Sequence, residues 1–470
     1  MIGKMRQYAF YHPAIDDWFG KVPGHWRSTS LGAIATRKST RNRPDMPLLS
    51  VLREKGVVLR SSLSQDENHN FIPDDLSNYQ VVNEGDLVVN KMKAWQGSVG
   101  VAPQDGIVSP AYYVFELSDI KKKYAHRLFR SRIYADFFGR ASDGVRIGQW
   151  DLRIPAMKRI PVLIPPPDEQ DSIARYLDEM DRRITRFIFN RQRLIKVLNE
   201  QKQAIINRAV TRGLDPNTPL KPSGIDWLGN FPKHWGRRRI KQVSKLLRGK
   251  FTHRPRNDPS LYDGPYPFIQ TGDVSRAEKK VVSYSQTLNE NGFAVSKQFP
   301  PGTLCMTIAA NIGDVAILDF EACFPDSIIG LAPNKGISTE YLYYAMQAMK
   351  PQLVSIAPVT AQGNLNVERV GAMSFVLPPI YEQEAIVEYI AEATRSIEYT
   401  IKTATREINL IREYRTRLIS DVVTGKIDVR HLVPSLGSED LEKAAEALEP
   451  LEDAMADVEM DDKEDFNESD

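Results

Sequence analysis

The sequence predicts an α+β protein built twice on one plan. Two domains of mixed strands and helices are each followed by a long helix. The two long helices are expected to pair as an antiparallel coiled coil about a pseudo-two-fold axis. Two observations carry this expectation. Short blocks recur in the same order at nearly the same separation, and each downstream block opens an unbroken helical pattern of about 44 residues.

The first block, Ile15-Asp-Asp-Trp18-Phe-Gly20-Lys-Val-Pro23-Gly-His25-Trp26, returns as Ile225-Asp226-Trp227-Leu-Gly229-Asn-Phe-Pro232-Lys-His234-Trp235, offset by 209 from Trp18 onward. The second, Val162-Leu-Ile-Pro165-Pro-Pro-Asp-Glu169-Gln170-Asp-Ser-Ile173-Ala-Arg-Tyr176, returns as Phe375-Val-Leu-Pro378-Pro-Ile-Tyr-Glu382-Gln383-Glu-Ala-Ile386-Val-Glu-Tyr389, offset by 213 and gap-free to Val210-Thr211 and Val423-Thr424. Apolar residues then recur at three- and four-residue steps: Ile173, Leu177, Met180, Ile184, Ile188, Ile195, Leu198 and Ile205. Their counterparts are Ile386, Ile390, Ala393, Ile397, Ile401, Ile408, Ile411 and Leu418. So narrow a stripe suits a helix packed along one partner helix rather than one enclosed by a globular core. No Pro or Gly interrupts it before Gly213 and Gly425, where C-terminal stops belong. At 1.5 Å per residue each helix is expected to be roughly 65 Å long.

Between the blocks, residues 27–160 and 236–373 are similar in length but share little identity. Some grammar survives. Gly85-Asp-Leu87-Val-Val-Asn90, then Gly97-Ser-Val99-Gly-Val101, parallels Gly302-Thr-Leu304-Cys-Met-Thr307, then Gly313-Asp-Val315-Ala-Ile317. Each reads as strand, short loop, strand. Helical patches are expected around Tyr124–Phe138 and Ser338–Ala348. The expected boundaries are a first domain over 1–167, its helix over 168–212, a connector over 213–229, a second domain over 230–380, its helix over 381–425 and a tail over 426–470.

The formal net charge of +2 hides an asymmetry. From Ser438 to Asp470 fifteen Asp or Glu stand against two Lys, a net of −13, which leaves +15 on the other 437 residues. A body that basic suggests a polyanionic partner. The tail reads as solvated and disordered, with a weak helix at Leu441–Met455. No run of eighteen apolar residues occurs, and Met1-Ile-Gly-Lys-Met-Arg does not open a secretory signal, so a cytoplasmic protein is expected. The two cysteines, Cys305 and Cys323, and the scattered histidines offer no metal-ligand spacing.

These blocks together resemble the specificity subunit of type I restriction-modification systems, from about Asp17 to Ile427. The most specific parts are Trp18–Trp26 with Trp227–Trp235, and Pro165-Pro-Pro-Asp-Glu-Gln with Pro378-Pro-Ile-Tyr-Glu-Gln. Gly302–Ile317 and Lys91-Met-Lys-Ala-Trp95 through Ser109-Pro110 are similar to the family's target-recognition segments. The resemblance implies that each variable domain reads one half of a split double-stranded DNA target and that the coiled coil fixes the half-site separation. Two modification subunits would dock on the scaffold and methylate adenine with S-adenosylmethionine. Restriction subunits, using ATP and Mg, would join to cleave. The chain itself would hold no cofactor and catalyse nothing, and the acidic tail has no family role. The residues agree: the Pro-Pro runs are not the Asn/Asp-Pro-Pro-Tyr/Phe motif of an amino-methyltransferase, and no phosphate-binding Gly-rich loop or hydrolase frame occurs. Two other readings remain open, a recognition module of another restriction system without a methyltransferase partner, and a coiled-coil adaptor that binds only protein.

Base reading needs amide or guanidinium side chains at groove depth, and phosphate contact needs Lys or Arg on loops. In the first domain these are Arg37, Lys38 and Arg41, then Lys91 and Lys93 with Trp95, then Gln149. In the second they are Arg248, Lys250, Thr271, Thr307, Asn311, Gln362 and Asn364. Gln149 and Gln362 are kept by the 213-residue repeat. Trp18, Trp26, Trp227 and Trp235 read as scaffold packing. Glu169 and Glu382, after prolines in a first helical turn, read as favouring the helix N-terminus rather than as catalysts.

Overall fold

The computed structural model describes residues 6–14, 16, 18–63, 72–144, 150–225, 227–253, 255–357 and 365–433. Gln149, Gln362, Asn364 and the acidic tail lie outside the described residues. Two compact units form, one within Met1–Asn190 and Arg406–Asp453, the other centred on Arg191–Thr405. The long helices, Pro167–Arg212 and Ile380–Val423, therefore contribute to both units. No described helix is long and apolar enough to cross a membrane.

In the first unit strands β1 (Ala35–Lys38), β2 (Leu87–Asn90), β3 (Val99–Val101) and β4 (Tyr112–Leu117) form an antiparallel sheet ordered β1-β4-β2-β3. Alternation along a strand sends neighbours to opposite faces. Leu87 and Val89 thus enter a core with Phe115, Tyr124, Leu128 and Phe138, whereas Val88 and Val114 meet Leu49, Val51 and Val57 on the other side. The expected helical patch is two helices, Lys122–Phe129 and Arg132–Arg140.

In the second unit β5 (Ser244–Arg248), β6 (Lys280–Val281), β7 (Leu304–Thr307), β8 (Val315–Leu318) and β9 (Ile328–Pro333) form a sheet ordered β5-β9-β7-β8-β6. Its first four strands repeat the first unit's order and its antiparallel pairing. Leu304, Met306 and Val315 pack under the helix Thr339–Ser355 through Tyr341, Leu342 and Met346. Both strand–loop–strand segments read from sequence are thus real hairpins. Gly85 and Gly302 open them at φ +94° and +79°, and Gly97 and Gly313 close the loops at +92° and +86°, values at which a Cβ is strained. The second unit adds another small sheet of Tyr262–Phe268, Gln286–Leu288, Gln298–Phe299 and Ala322–Cys323.

The long helices pair antiparallel. Asp181 meets Arg415 at 2.8 Å in the first unit, and Lys202 meets Glu398 at 2.7 Å in the second. The seam follows the apolar stripe at Ile173, Leu177, Ile184 and Ile188, and at Ile386, Ile390, Ile397, Ile408 and Leu418. It departs from the stripe where helical drift brings other positions inward. Ile206 is buried in place of Ile205, Thr394 in place of Ala393, and Gln192 also lies inside.

Candidate nucleic-acid interface and its helix junctions

Each unit anchors its sheet domain where one long helix begins and the other ends. In the first, Glu169 is buried at the start of its helix and accepts hydrogen bonds from Trp26 Nε1 at 3.1 Å and Tyr8 Oη at 2.5 Å. His25 Nε2 lies 2.7 Å from its other oxygen. In the second, Glu382 accepts from Trp235 Nε1 at 2.8 Å, with His234 Nε2 at 2.8 Å. The next residue is a second anchor. Gln170 receives Lys121 N at 2.7 Å and donates to Pro165 O at 2.8 Å; Gln383 receives Ser338 N at 2.9 Å and donates to Pro378 O at 2.9 Å. The Glu-Gln pair therefore joins the start of the long helix to the strand before it and to a domain helix. Reading Glu169 and Glu382 only as helix-terminus charges was incomplete. Their repeated neighbours His25-Trp26 and His234-Trp235 were the signal for these partners.

The opposite helix ends at the same place. Last-turn carbonyls of a helix lack internal partners. Tyr124 Oη donates to Val423 O at 3.3 Å and Tyr341 Oη to Val210 O at 3.3 Å, and each also bonds the strand before its own unit's helix start, at Leu163 O and Val376 O. Burial raises both tyrosine pKa values well above normal, so both stay neutral donors. Gly425 and Gly213, both at φ +74°, end the helices; a Cβ would collide with Pro23 at the first and approach Trp235 to 3.2 Å at the second. Trp26 and Trp235 are buried as expected. Trp18 is not: it is 48% exposed, with Arg140 stacked 4.8 Å from its ring.

The candidate DNA-contacting residues lie mostly on loops at strand ends. Arg37, on β1, is exposed and stacks 5.2 Å from the Tyr113 ring. Arg41 is exposed beyond β1. Lys38 lies 2.7 Å from buried Asp86 and 2.6 Å from Asn83, so its charge is already matched. In the β2–β3 loop Asn90 Oδ1 accepts the amides of Met92 and Lys93, and Trp95 Nε1 donates to Met92 O. This fixed turn leaves Lys93 exposed and Lys91 half-buried, while Trp95 packs 5.2 Å from Trp150. Leu152 N bonds Lys91 O, and the equivalent Leu365 N bonds Ile308 O. The chain that follows each repeated glutamine thus returns beside its unit's hairpin loop.

In the second unit Arg248 donates Nε to Asp326 O at 2.7 Å and, with Lys250, is exposed at the end of β5. Thr271 opens a short helix, Thr271–Arg276. Asn311 is half-buried with Nδ2 on Ser275 Oγ at 3.0 Å. Thr307 corrects the sequence reading. It is fully buried, and its hydroxyl bonds the Asn311 and Asp314 carbonyls, so it shapes the hairpin loop instead of facing a ligand. Among the described residues no group of His, Cys, Asp or Glu could hold a metal ion.

Each unit thus holds a sheet domain anchored alike on the start of one long helix and the end of the other. The family model for the type I restriction modification DNA specificity domain matches residues 23–197 and again 232–409, and the chain belongs to that family. It is 23% identical over 369 residues to the type I restriction enzyme MjaVIII specificity subunit of Methanocaldococcus jannaschii, covering 75% of this chain and 81% of that one. The MjaIX specificity subunit of the same organism is 28% identical over 121 residues, a quarter of either chain (25% and 27%). A solved chain from work on complex assembly and conformational transition of the type I R-M system superposes with a TM-score of 0.60 at 15% identity, over 86% of this chain and 98% of that one.

Proposed function

We propose that this chain is the DNA-reading, non-catalytic subunit of a type I restriction-modification complex. Each sheet domain reads one half of an asymmetric bipartite target. The helix pair sets the spacer between the halves, and the scaffold docks two adenine methyltransferase subunits and restriction subunits. S-adenosylmethionine, and ATP with Mg, bind those partners, and the complex works in the cytoplasm. The observation that carries this reading is the four-strand sheet order shared by two domains of unlike sequence. One framework is kept while its loops differ, as two readers of different sequence require.

Methylation mapping of the host genome tests it: the modified sites are expected to be bipartite and non-palindromic, and a continuous or palindromic site would contradict the reading. Seven residues inserted in each long helix keep the seam in register and add about 10 Å. The spacer is then expected to grow by up to about three base pairs at 3.4 Å each. An unchanged spacer in a folded, methylating variant would refute the ruler.

A further inference from the structure

The second unit carries a basic track that the recognition loops do not explain. Residues 227–257 contain ten Lys or Arg and no Asp or Glu. The track begins on the strand Gly236–Arg239, which pairs antiparallel with Ser374–Leu377 just before the second long helix. Arg237, Arg238, Arg239, Lys241 and Lys245 are exposed, and among the described residues none of them forms an ion pair. Arg237 donates to Ser223 O and Arg238 to Arg237 O, so both guanidiniums meet carbonyls rather than carboxylates. The paired strand, Ser-Phe-Val-Leu, supplies no countercharge.

An exposed charge run is often only a solvated face. The first unit shows that this strand does not need it. The equivalent strand, Arg27–Ser30, pairs with Pro161–Ile164 in the same way and carries a single arginine, which is matched by Asp119 at 3.3 Å. The three guanidiniums alternate across the strand, Arg237 and Arg239 to one face and Arg238 to the other, and no carboxylate of the paired strand offsets them. Such an arrangement suits a polyanion. From this strand the exposed charges continue through Lys241 and Lys245 along β5 to Arg248 and Lys250, the second domain's own candidate loop residues.

We infer that Arg237–Arg239 with Lys241 and Lys245 form a sequence-independent contact to the DNA phosphate backbone, continuous with the second domain's half-site reading. The inference rests on the function proposed above. Backbone contacts fix position and add affinity without reading bases. Each phosphate neutralised steepens the dependence of log K on log salt by about 0.9.

The test uses the full chain, a fluorescently labelled mixed-sequence duplex and a salt titration. For Arg238→Gln/Arg239→Gln/Lys241→Gln/Lys245→Gln the slope is expected to fall by roughly two to four, with the methylated sequence in vivo unchanged. Lys241→Gln/Lys245→Gln alone, at two exposed positions, is expected to lose about half as much and guards against misfolding of the fourfold variant. A slope equal to wild type in both variants would overturn the contact. An unchanged slope together with loss of copurification with a modification subunit would overturn it in favour of a protein-docking strand. Wild-type protein that binds no duplex at all would instead overturn the DNA-reading function itself, and this proposal with it.

Discussion

The two units are alike where each domain meets the ends of the helices and unlike a few turns further along them. In the first unit Arg127, from the helix Lys122–Phe129, bonds Asp178 at 2.7 Å and Asp181, and Asp181 also bonds Arg415 of the opposite helix. Burial alone would raise the Asp181 pKa; Arg127 and Arg415 outweigh it and hold the carboxyl below its usual range. At the aligned positions the second unit has Tyr344 for Arg127, Thr394 for Asp181 and Lys202 for Arg415. Thr394 Oγ1 bonds its own helix at Ile390 O, Lys202 pairs with Glu398, and Lys279 lies 5.2 Å over the Tyr344 ring. One domain is thus keyed to its helices by a part-buried charge network, whereas the domain-to-helix ion pair of the other, Glu278 with Lys402 at 3.8 Å, lies in solvent. The junctions preserve how a domain is attached, while the turns beyond them differ with the domain they meet.

The largest expected difference follows from that contrast. Asp181→Ala leaves Arg127 and Arg415 partly buried with too little countercharge and is expected to cost about 3 kcal/mol. Thr394→Ala at the aligned position should cost less than about 1 kcal/mol, because its hydroxyl only returns to its own helix. Equal losses by chemical denaturation would dissolve the distinction.

Acid should act on the first unit through the same region. Burial, with Arg130 and Arg127 nearby, lowers the His126 pKa to about 4, against 6.5 when free. The unfolded chain therefore takes up this proton first, and stability falls as pH drops from 6.5 toward 4, by up to about 3 kcal/mol. Tyr343 occupies the aligned place and does not titrate there. His126→Gln is expected to flatten the stability–pH curve in that window, and an unaltered curve would remove His126 as its cause.

A smaller effect separates the two junctions. Glu169 is buried and also accepts from Tyr8, a residue in the segment before the first repeated block, whereas Glu382 is 25% exposed and meets Trp235, His234 and the exposed Tyr381. Glu169→Ala should cost about 2 kcal/mol by stranding two buried donors, and Glu382→Ala about 1 kcal/mol. The reverse ranking in thermal melts would show that the two anchors are not graded by burial.

Much of this architecture could be read from residues. The repeated blocks and gap-free stripe placed both helices to within two residues, since a 3.6-residue period sustained over about twelve turns suits only a long continuous helix. The paired Gly85–Val101 and Gly302–Ile317 segments placed the hairpins. The four-strand order could not be read, because strand pairing is set by contacts far apart in sequence. The Asp181 network was equally hidden: it joins three distant residues, and in the second half Tyr344 and Thr394 stand in place of Arg127 and Asp181. Thr307 failed as a site residue because a hydroxyl in a hairpin loop serves the turn as readily as a ligand.

Under the proposed function the two sheet domains would be exchangeable readers, each of one half of the target. Replacing residues 27–160 with the corresponding domain of a relative, and mapping methylated positions in the host, tests it most directly. One half of the recognised sequence is expected to change while the other half and the spacer stay fixed. A change in both halves, or in neither, would contradict it.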